Sequence, residues 1–264
     1  MPSCRSDPSW RRGLSWLATV MLVGCTSAPL QQAASLADSP WARASTVADD
    51  VGRVQTSWQH LPLPGKPEVR FVPTRLDGRD TLAASADSAA SAVRRKVRVE
   101  PQTLGVARFS WKVPRLIADA DLSTRHADDA PVRIVLAFDG DHSRFSARDA
   151  MLAELVRAVT GEEMPFATLM YVWGNKRPAG SVVHSPRTER IRRIVVESGP
   201  ARLGQWLEYE RDVRADFEHA FGEPPGPLVG VAVMTDSDNT RSEIKAWYGP
   251  IRLLPRTMGS PVPN

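Results

Sequence analysis

The chain has 264 residues, with 34 Lys and Arg against 30 Asp and Glu and a formal charge of +4. So even a balance argues against nucleic acid as a partner, because nucleic-acid binders concentrate far more positive charge on one face. The length suffices for one sizeable β or mixed domain with its own core.

Taken in chain order, the first predicted element is an export signal. Arg11 and Arg12 precede the short apolar stretch "GLSWLATVMLVG", which ends at Cys25. A basic start followed by a short apolar run is the pattern of a secretory signal, and the run is too short to span a bilayer comfortably. "LVGC" resembles the lipobox of bacterial lipoproteins, which implies cleavage before Cys25 and lipidation (including palmitate) of its thiol and amine. An ordinary signal peptide with an incidental cysteine is the alternative. Thr26 follows the cysteine where an aspartate would resemble an inner-membrane retention signal, so the expected address is the cell envelope, lipid-anchored in the outer membrane and facing the periplasm. Cys4 leaves with the signal, so Cys25 is the one remaining thiol; a disulfide, a cysteine-based zinc site and a cysteine nucleophile are excluded in the mature chain.

The expected organisation is a signal peptide over residues 1–24, a flexible tether over 25–40, one domain over 41–254 and a disordered tail over 255–264. The tether is rich in Ala, Ser and Gln, and a coil of that length reaches roughly 20 Å. Within the domain, short alternating or apolar runs of four to eight residues recur between Gly, Pro and Asp punctuation, which predicts about ten strands. "EVRFVPTRLDGRDTLAASA" predicts a hairpin turning at Asp77-Gly78. "SAVRRKVRV", "GVARFSWKV", "VRIVLAFD", "TLMYVWG", "RIRRIVVES", "QWLEYERDV", "LVGVAVMT" and "IKAWYGPIRLL" follow. Alternation sends Phe109, Trp111 and Val113 to one face and Ser110 and Lys112 to the other. "LVGVAVM" lacks alternation and is expected to be central, covered on both faces.

Two helices interrupt the strands. "SARDAMLAELVRAVTG" opens on Ser146 as N-cap, carries Met151, Leu152, Leu155, Val156 and Val159 as an apolar stripe, and stops at Gly161. "DVRADFEHAFG" opens on Asp212, places Val213, Phe217, Ala220 and Phe221 on one face, and stops at Gly222. With no long βαβ alternation, the expected fold is mostly β: an antiparallel two-sheet β-sandwich, jelly-roll-like, with two short helices.

The ordered motifs "FSWKVP", "DDAPVRIVLAFD", "LMYVWG", "RRIVVESG", "RDVRADFEHAFG", "VAVMTDSDNT" and "AWYGPIRL" resemble the bacterial domain of unknown function 3047 over roughly residues 55–254. That resemblance implies secretion or an envelope location and brings no activity. A second likeness is to carbohydrate-binding jelly rolls of the galactose-binding type, through the "WKV" strand and the closing "AWYGPIRLL". Pro250 departs from that pattern, where an acidic residue is common.

Candidate sites follow from chemistry. No Gly-x-Ser-x-Gly elbow and no paired-histidine zinc motif is present; His60, His126, His142, His184 and His219 are scattered, His184 in an expected loop. Glu197, Asp212, Asp216, Asp236 and Asp238 are the carboxylates that could work as a pair on a glycoside. Asp212 and Asp216 are also explained as a helix cap and a first-turn acid. In "MTDSDNT", Asp236, Asp238 and Asn239 offer hard oxygen ligands for calcium, although the EF-hand pattern fails at Arg241 and Trp247. The same side chains could simply close a turn.

Sugars stack on exposed rings, and Trp41, Trp58, Trp111, Trp173, Trp206, Trp247, Tyr171, Tyr209 and Tyr248 supply them. Strand aromatics are usually core, as Trp111 should be; Trp173, Trp247 and Tyr248 lie beside loops and are the expected ligand contacts. Arg187, Arg190, Arg192 and Arg193 could meet envelope phosphates or protect a solvated edge strand. Three functions stay open: binding of an envelope glycan through end loops, hydrolysis of envelope polysaccharide by loop carboxylates, and a structural role against an envelope protein.

Overall fold

The computed structural model describes residues 35–47 and 57–256. The predicted signal peptide, Cys25, most of the tether and most of the tail lie outside these residues. Thirteen strands form two sheets, as the alternating runs require. One sheet runs β1 (Gln59–Pro62), β4 (Ala90–Val99), β11 (Leu228–Asp236), β6 (Ala130–Phe138), β7 (Ala167–Gly174), β9 (Ile191–Ser198) and β8 (Val182–His184) in spatial order. The other runs β10 (Trp206–Asp212), β5 (Val106–Lys112), β12 (Glu243–Tyr248), β3 (Arg79–Asp87) and β2 (Arg70–Leu76), with β13 (Arg252–Leu254) also on β5. Among the described residues every strand pairing is antiparallel except β7 with β9, and an isolated parallel bridge joins Val47 to Leu253. The fold is therefore the expected mostly antiparallel sandwich.

Local sequence explains most element boundaries. Asp77 and Gly78 both take positive φ, 51° and 76°, which is the two-residue hairpin turn that Asp-Gly favours. Phe109, Trp111 and Val113 are buried between the sheets while Ser110 and Lys112 face outward. β11 lies between β4 and β6 and is buried along most of its length, in keeping with its unbroken apolar run. "IKAWYGPIRLL" is two strands, because Gly249-Pro250 breaks it between β12 and β13. Gly249 sits so close to β5 that a Cβ there would collide with the Ser110 hydroxyl.

Among the described residues three α-helices, one more than expected, complete the domain. α1 (Pro40–Ala44) has Ser39 as N-cap and carries the fully buried Trp41, whose Nε1 donates to Gly249 O at 2.9 Å. α2 (Ala147–Thr160) starts where Ser146 accepts from Asp149 N at 3.1 Å and ends on Gly161 in the left-handed region. α3 (Val213–Phe221) starts where Asp212 accepts from Ala215 N at 3.0 Å, and its Val213, Phe217 and Ala220 are buried. In α2 the expected inward stripe is corrected: Met151, Leu155 and Val159 are 71, 60 and 58% exposed. Polar contacts hold α2 and its C-terminal end instead, since buried Asp149 accepts from Thr188 Oγ1 and Glu162 is gripped by Arg94 and Lys96.

Candidate functional site

Two places collect the predicted site residues: the loop after β11 at one end of the sandwich, and the outer face of the β10-β5-β12-β3-β2 sheet. At the end loop, Asp236 Oδ1 accepts from Ala130 N at 2.8 Å and from Arg133 Nε at 3.1 Å, and its Oδ2 accepts from the same guanidinium at 2.9 Å. The guanidinium also reaches Asp128 at 3.2 Å, and Asp128 takes Arg193 on its other oxygen. All four side chains are buried.

Burial pushes the Asp236 carboxyl up to about 6, further than Arg133 pulls it down. Burial likewise works against the charge of Arg133, but Asp236 and Asp128 together outweigh it and raise its pKa. The pair is charged at neutral pH. Burial lowers Arg193 to about 10.

The remainder of "MTDSDNT" is a turn held by a partner that sequence reasoning missed. Asp129 accepts from Asn239 N at 3.2 Å, from Asn239 Nδ2 at 2.9 Å, from Thr240 N at 2.7 Å and from Thr240 Oγ1 at 2.6 Å. Asp238 pairs with Lys66, and Asn239 Oδ1 faces Arg187 at 3.4 Å. Both Asp236 oxygens, Asp238 Oδ2 and Asn239 Oδ1 thus face a cation or an N–H donor, which does not fit a metal site. Among the described residues no group of three His, Cys, Asp or Glu is set to hold one.

The other proposed carboxylates are engaged as well. Glu197 accepts from Arg202 at 3.0 Å and from Tyr209 Oη at 2.9 Å. Asp216 pairs with Arg211 and accepts from Tyr171 Oη at 2.8 Å. Burial, reinforced by these carboxylates, holds both phenols well above their ordinary range.

Most of the predicted ring contacts are core. Trp173 is 1% exposed and donates to Gly199 O at 3.0 Å; Tyr248 is fully buried, its hydroxyl donating to Met234 O at 2.6 Å. Trp41 and Trp58 pack on each other at 4.9 Å, and Trp111 sits in the Phe109–Tyr209 stack. The arginine cluster is corrected too. β9 lies between β7 and β8 rather than at an edge; Arg193 is buried, and Arg190 bonds Phe166 O and Glu223 at 2.9 Å. His184 ends β8 instead of lying in a loop.

Trp206 and Trp247 are the half-buried tryptophans among the described residues. Trp206, Lys112, Trp247, Ala83 and Val72 form one continuous rung across β10, β5, β12, β3 and β2. Both rings have a cation over them, Arg79 over Trp206 at 5.2 Å and Lys245 over Trp247 at 5.1 Å, but Trp206 is also tied down through Nε1, which donates to Asp77 at 2.9 Å. Trp247 borders a groove of about 340 Å³, within the range of small-ligand sites. The groove exists because β3 supplies Ala83 and Ser85 as a low floor between Trp247 and Lys245 on one side and Arg70 and Val72 on the other. A hollow of about 470 Å³ further along the same sheet is lined by Arg108, Ser110, Glu208, Glu210 and Arg252. Arg108 and Glu210 neutralise each other there at 2.7 Å, and the neighbouring Phe109 and Tyr209 rings belong to the inner stack.

The family model described as protein of unknown function (DUF3047) matches residues 56–252, from the start of the sheets to β13. The chain belongs to this family. No curated protein matches this DUF3047 member. Among solved structures it is similar to the xyloglucanase domain of NopAA, a type three effector from Sinorhizobium fredii, in complex with cellobiose. That match has 8% identity and a TM-score of 0.41, over 77% of this chain and 94% of that one. It is also similar to TmCBM61 in complex with β-1,4-galactotriose, at 11% identity and a TM-score of 0.30, over 75% and 88% of the two chains. Likeness at that level carries no ligand across to this chain.

Proposed function

We propose that the domain binds a glycan on the outer face of the β10-β5-β12-β3-β2 sheet, at the groove beside Trp247. The observation that carries this reading is the pairing of a half-buried indole with a groove floored by small residues. An indole face is apolar and rigid, so the C–H face of a sugar ring can pack on it at little entropic cost, while Thr74, Ser85, Arg70 and Lys245 meet the hydroxyls. The binding surface is thus a sheet face rather than the end loops, whose polar groups are bonded to one another. Each of the five carboxylates considered for hydrolysis is held by a cation or a backbone amide, which favours binding over hydrolysis as the reading.

We further propose, from the residues before Cys25 and from Thr26 after it, that this domain is carried at the outer membrane as a lipoprotein. Calorimetry of the protein against a panel of oligosaccharides, with Trp247→Ala beside the parent, tests the binding reading. Binding that the substitution removes supports it; binding that survives Trp247→Ala unchanged sinks this location.

The exposed Met151, Leu155 and Val159 follow one another at one-turn spacing on α2 and favour a second reading, contact with an envelope protein along that helix. Exchanging all three for Ser and assaying co-purification with envelope proteins tests it. An unchanged set of partners rejects the idea.

A further inference from the structure

We infer that the saccharide taken by the Trp247 groove is acidic, bearing carboxylate or phosphate groups; this rests on the glycan reading above. The groove is lined by three cations, Arg70, Arg75 and Lys245, and by no carboxylate. Among the described residues, none of the three has a carboxylate at ion-pair distance. Arg75 donates only to the Gly78 carbonyl, at 3.1 Å, and Lys245 lies 5.1 Å from the centre of the Trp247 ring.

The rest of the same sheet face behaves differently. Arg79 is paired with Glu208 at 2.6 Å, Arg108 with Glu210 at 2.7 Å and Lys112 with Asp77 at 2.8 Å. Positive charge is therefore balanced everywhere on this face except around the groove and at Arg252, and the groove couples that surplus to a ring.

Register places the charge. Arg70, Ser85 and Lys245 share one rung, directly beside the rung of Val72, Ala83 and Trp247. One rung beyond Lys245, Asp87 and Glu243 stand opposite each other. Like charges repel an anion from that end, so the acidic substituent lies between the Lys245 rung and Arg75, with the sugar ring over Ala83 against Trp247. A guanidinium offers two parallel N–H donors to a carboxylate or phosphate, and such charge-assisted bonds are about twice as strong as neutral ones. A neutral sugar would take hydrogen bonds from these cations but leave their charge uncompensated.

The test compares oligogalacturonate, its methyl ester and a phosphorylated oligomannose by calorimetry, on the parent, on Arg70→Gln/Arg75→Gln/Lys245→Gln and on Trp247→Ala. The expected result is at least about tenfold tighter binding of an acidic probe than of the ester, a difference of about 1.4 kcal/mol. That preference should vanish in the triple variant and weaken with added salt. The oligogalacturonate and phosphorylated arms separate a carboxylate from a phosphate ligand. Acid and ester binding equally well, both lost in Trp247→Ala, overturns the inference and leaves the glycan reading standing. Failure of every saccharide overturns both, and so does binding only to phosphatidylglycerol vesicles.

Discussion

The guanidinium of Arg133 donates from Nε and Nη2 to the two carboxylate oxygens of Asp236, at 3.1 and 2.9 Å, and both side chains are buried. Removing one member of a buried ion pair costs about 3 to 5 kcal/mol, and loss of Asp236 would leave Arg133 Nε without its carboxylate and the guanidinium with Asp128 alone. Asp236→Ala is therefore expected to lower Tm by on the order of 10 °C. Asp238→Ala, whose partner Lys66 is 35% exposed, should cost about 1 kcal/mol or less. Treatment with EGTA should leave the parent Tm unchanged, because the loop oxygens already face donors. Thermal unfolding of the parent and the two variants checks all three; an Asp238→Ala loss as large as that of Asp236→Ala would refute the assignment.

The same pair shows what was legible in the sequence. Local rules located the Asp77-Gly78 hairpin and the Ser146 and Asp212 caps, because those signals lie within a few residues of the structure they specify. The alternation of Phe109, Trp111 and Val113 also carried through, since a strand's two faces are set by its own pleat. The partner of "MTDSDNT" was missed because Asp128 and Asp129 lie more than 100 residues upstream. One signal was available: Arg133 interrupts the apolar run "VRIVLAFD", and a cation inside a buried strand demands an acidic partner. Trp173 and Tyr248 looked reachable because they stand near loops, but burial of a strand residue depends on what packs across the sheet, which spacing in one strand does not encode. The groove at Ala83 was hidden for the same reason; it arises only when β3 is laid between β2 and β12.

Acid sensitivity should run through Glu162. Its carboxylate is held by Arg94 at 2.6 Å and Lys96 at 2.9 Å, hydrogen bonds that lower its pKa from 4.5 to about 2. A folded-state pKa below the unfolded value means stability that is present above pH 4.5 and lost as pH falls toward 2. Asp236 has the opposite sign: its raised pKa, about 6, gives a contribution present below 3.8 and lost as pH rises through 6. Denaturant melts of Glu162→Gln across the acid range should show a shallower fall below pH 4.5 than the parent. Identical slopes would show that this carboxylate does not carry the effect. The side chain is 39% exposed, so the difference should also shrink in high salt.

Gly249 should resist any side chain for a reason that can be relieved. A Cβ there meets the Ser110 hydroxyl oxygen, while the next atom, Ser110 Cβ, is 3.4 Å away at ordinary contact distance. Gly249→Ala is expected to cost about 1 to 3 kcal/mol, the usual range for overpacking. Gly249→Ala/Ser110→Ala should recover most of that loss, because it deletes the colliding atom. A double variant no more stable than Gly249→Ala alone would place the conflict elsewhere on β5.

The groove itself can be closed without touching its charges or its ring. Ala83 stands on β3 between Trp247 and Val72, on the outer side of the sheet, and these neighbours leave it only 9% exposed. Ala83→Leu adds three carbons to the floor, where they would rest against the indole and occupy the space proposed for the sugar. Ala83 is only 9% exposed, so the added volume is expected to cost up to about 1 to 3 kcal/mol, the range for overpacking, with the protein still folded. Saccharide binding should nevertheless fall at least as far as in Trp247→Ala, since a filled groove removes the platform and the approach to it together. Calorimetry beside a thermal melt reads both quantities. Unimpaired binding by a folded Ala83→Leu protein would mean that the ligand sits elsewhere on the sheet.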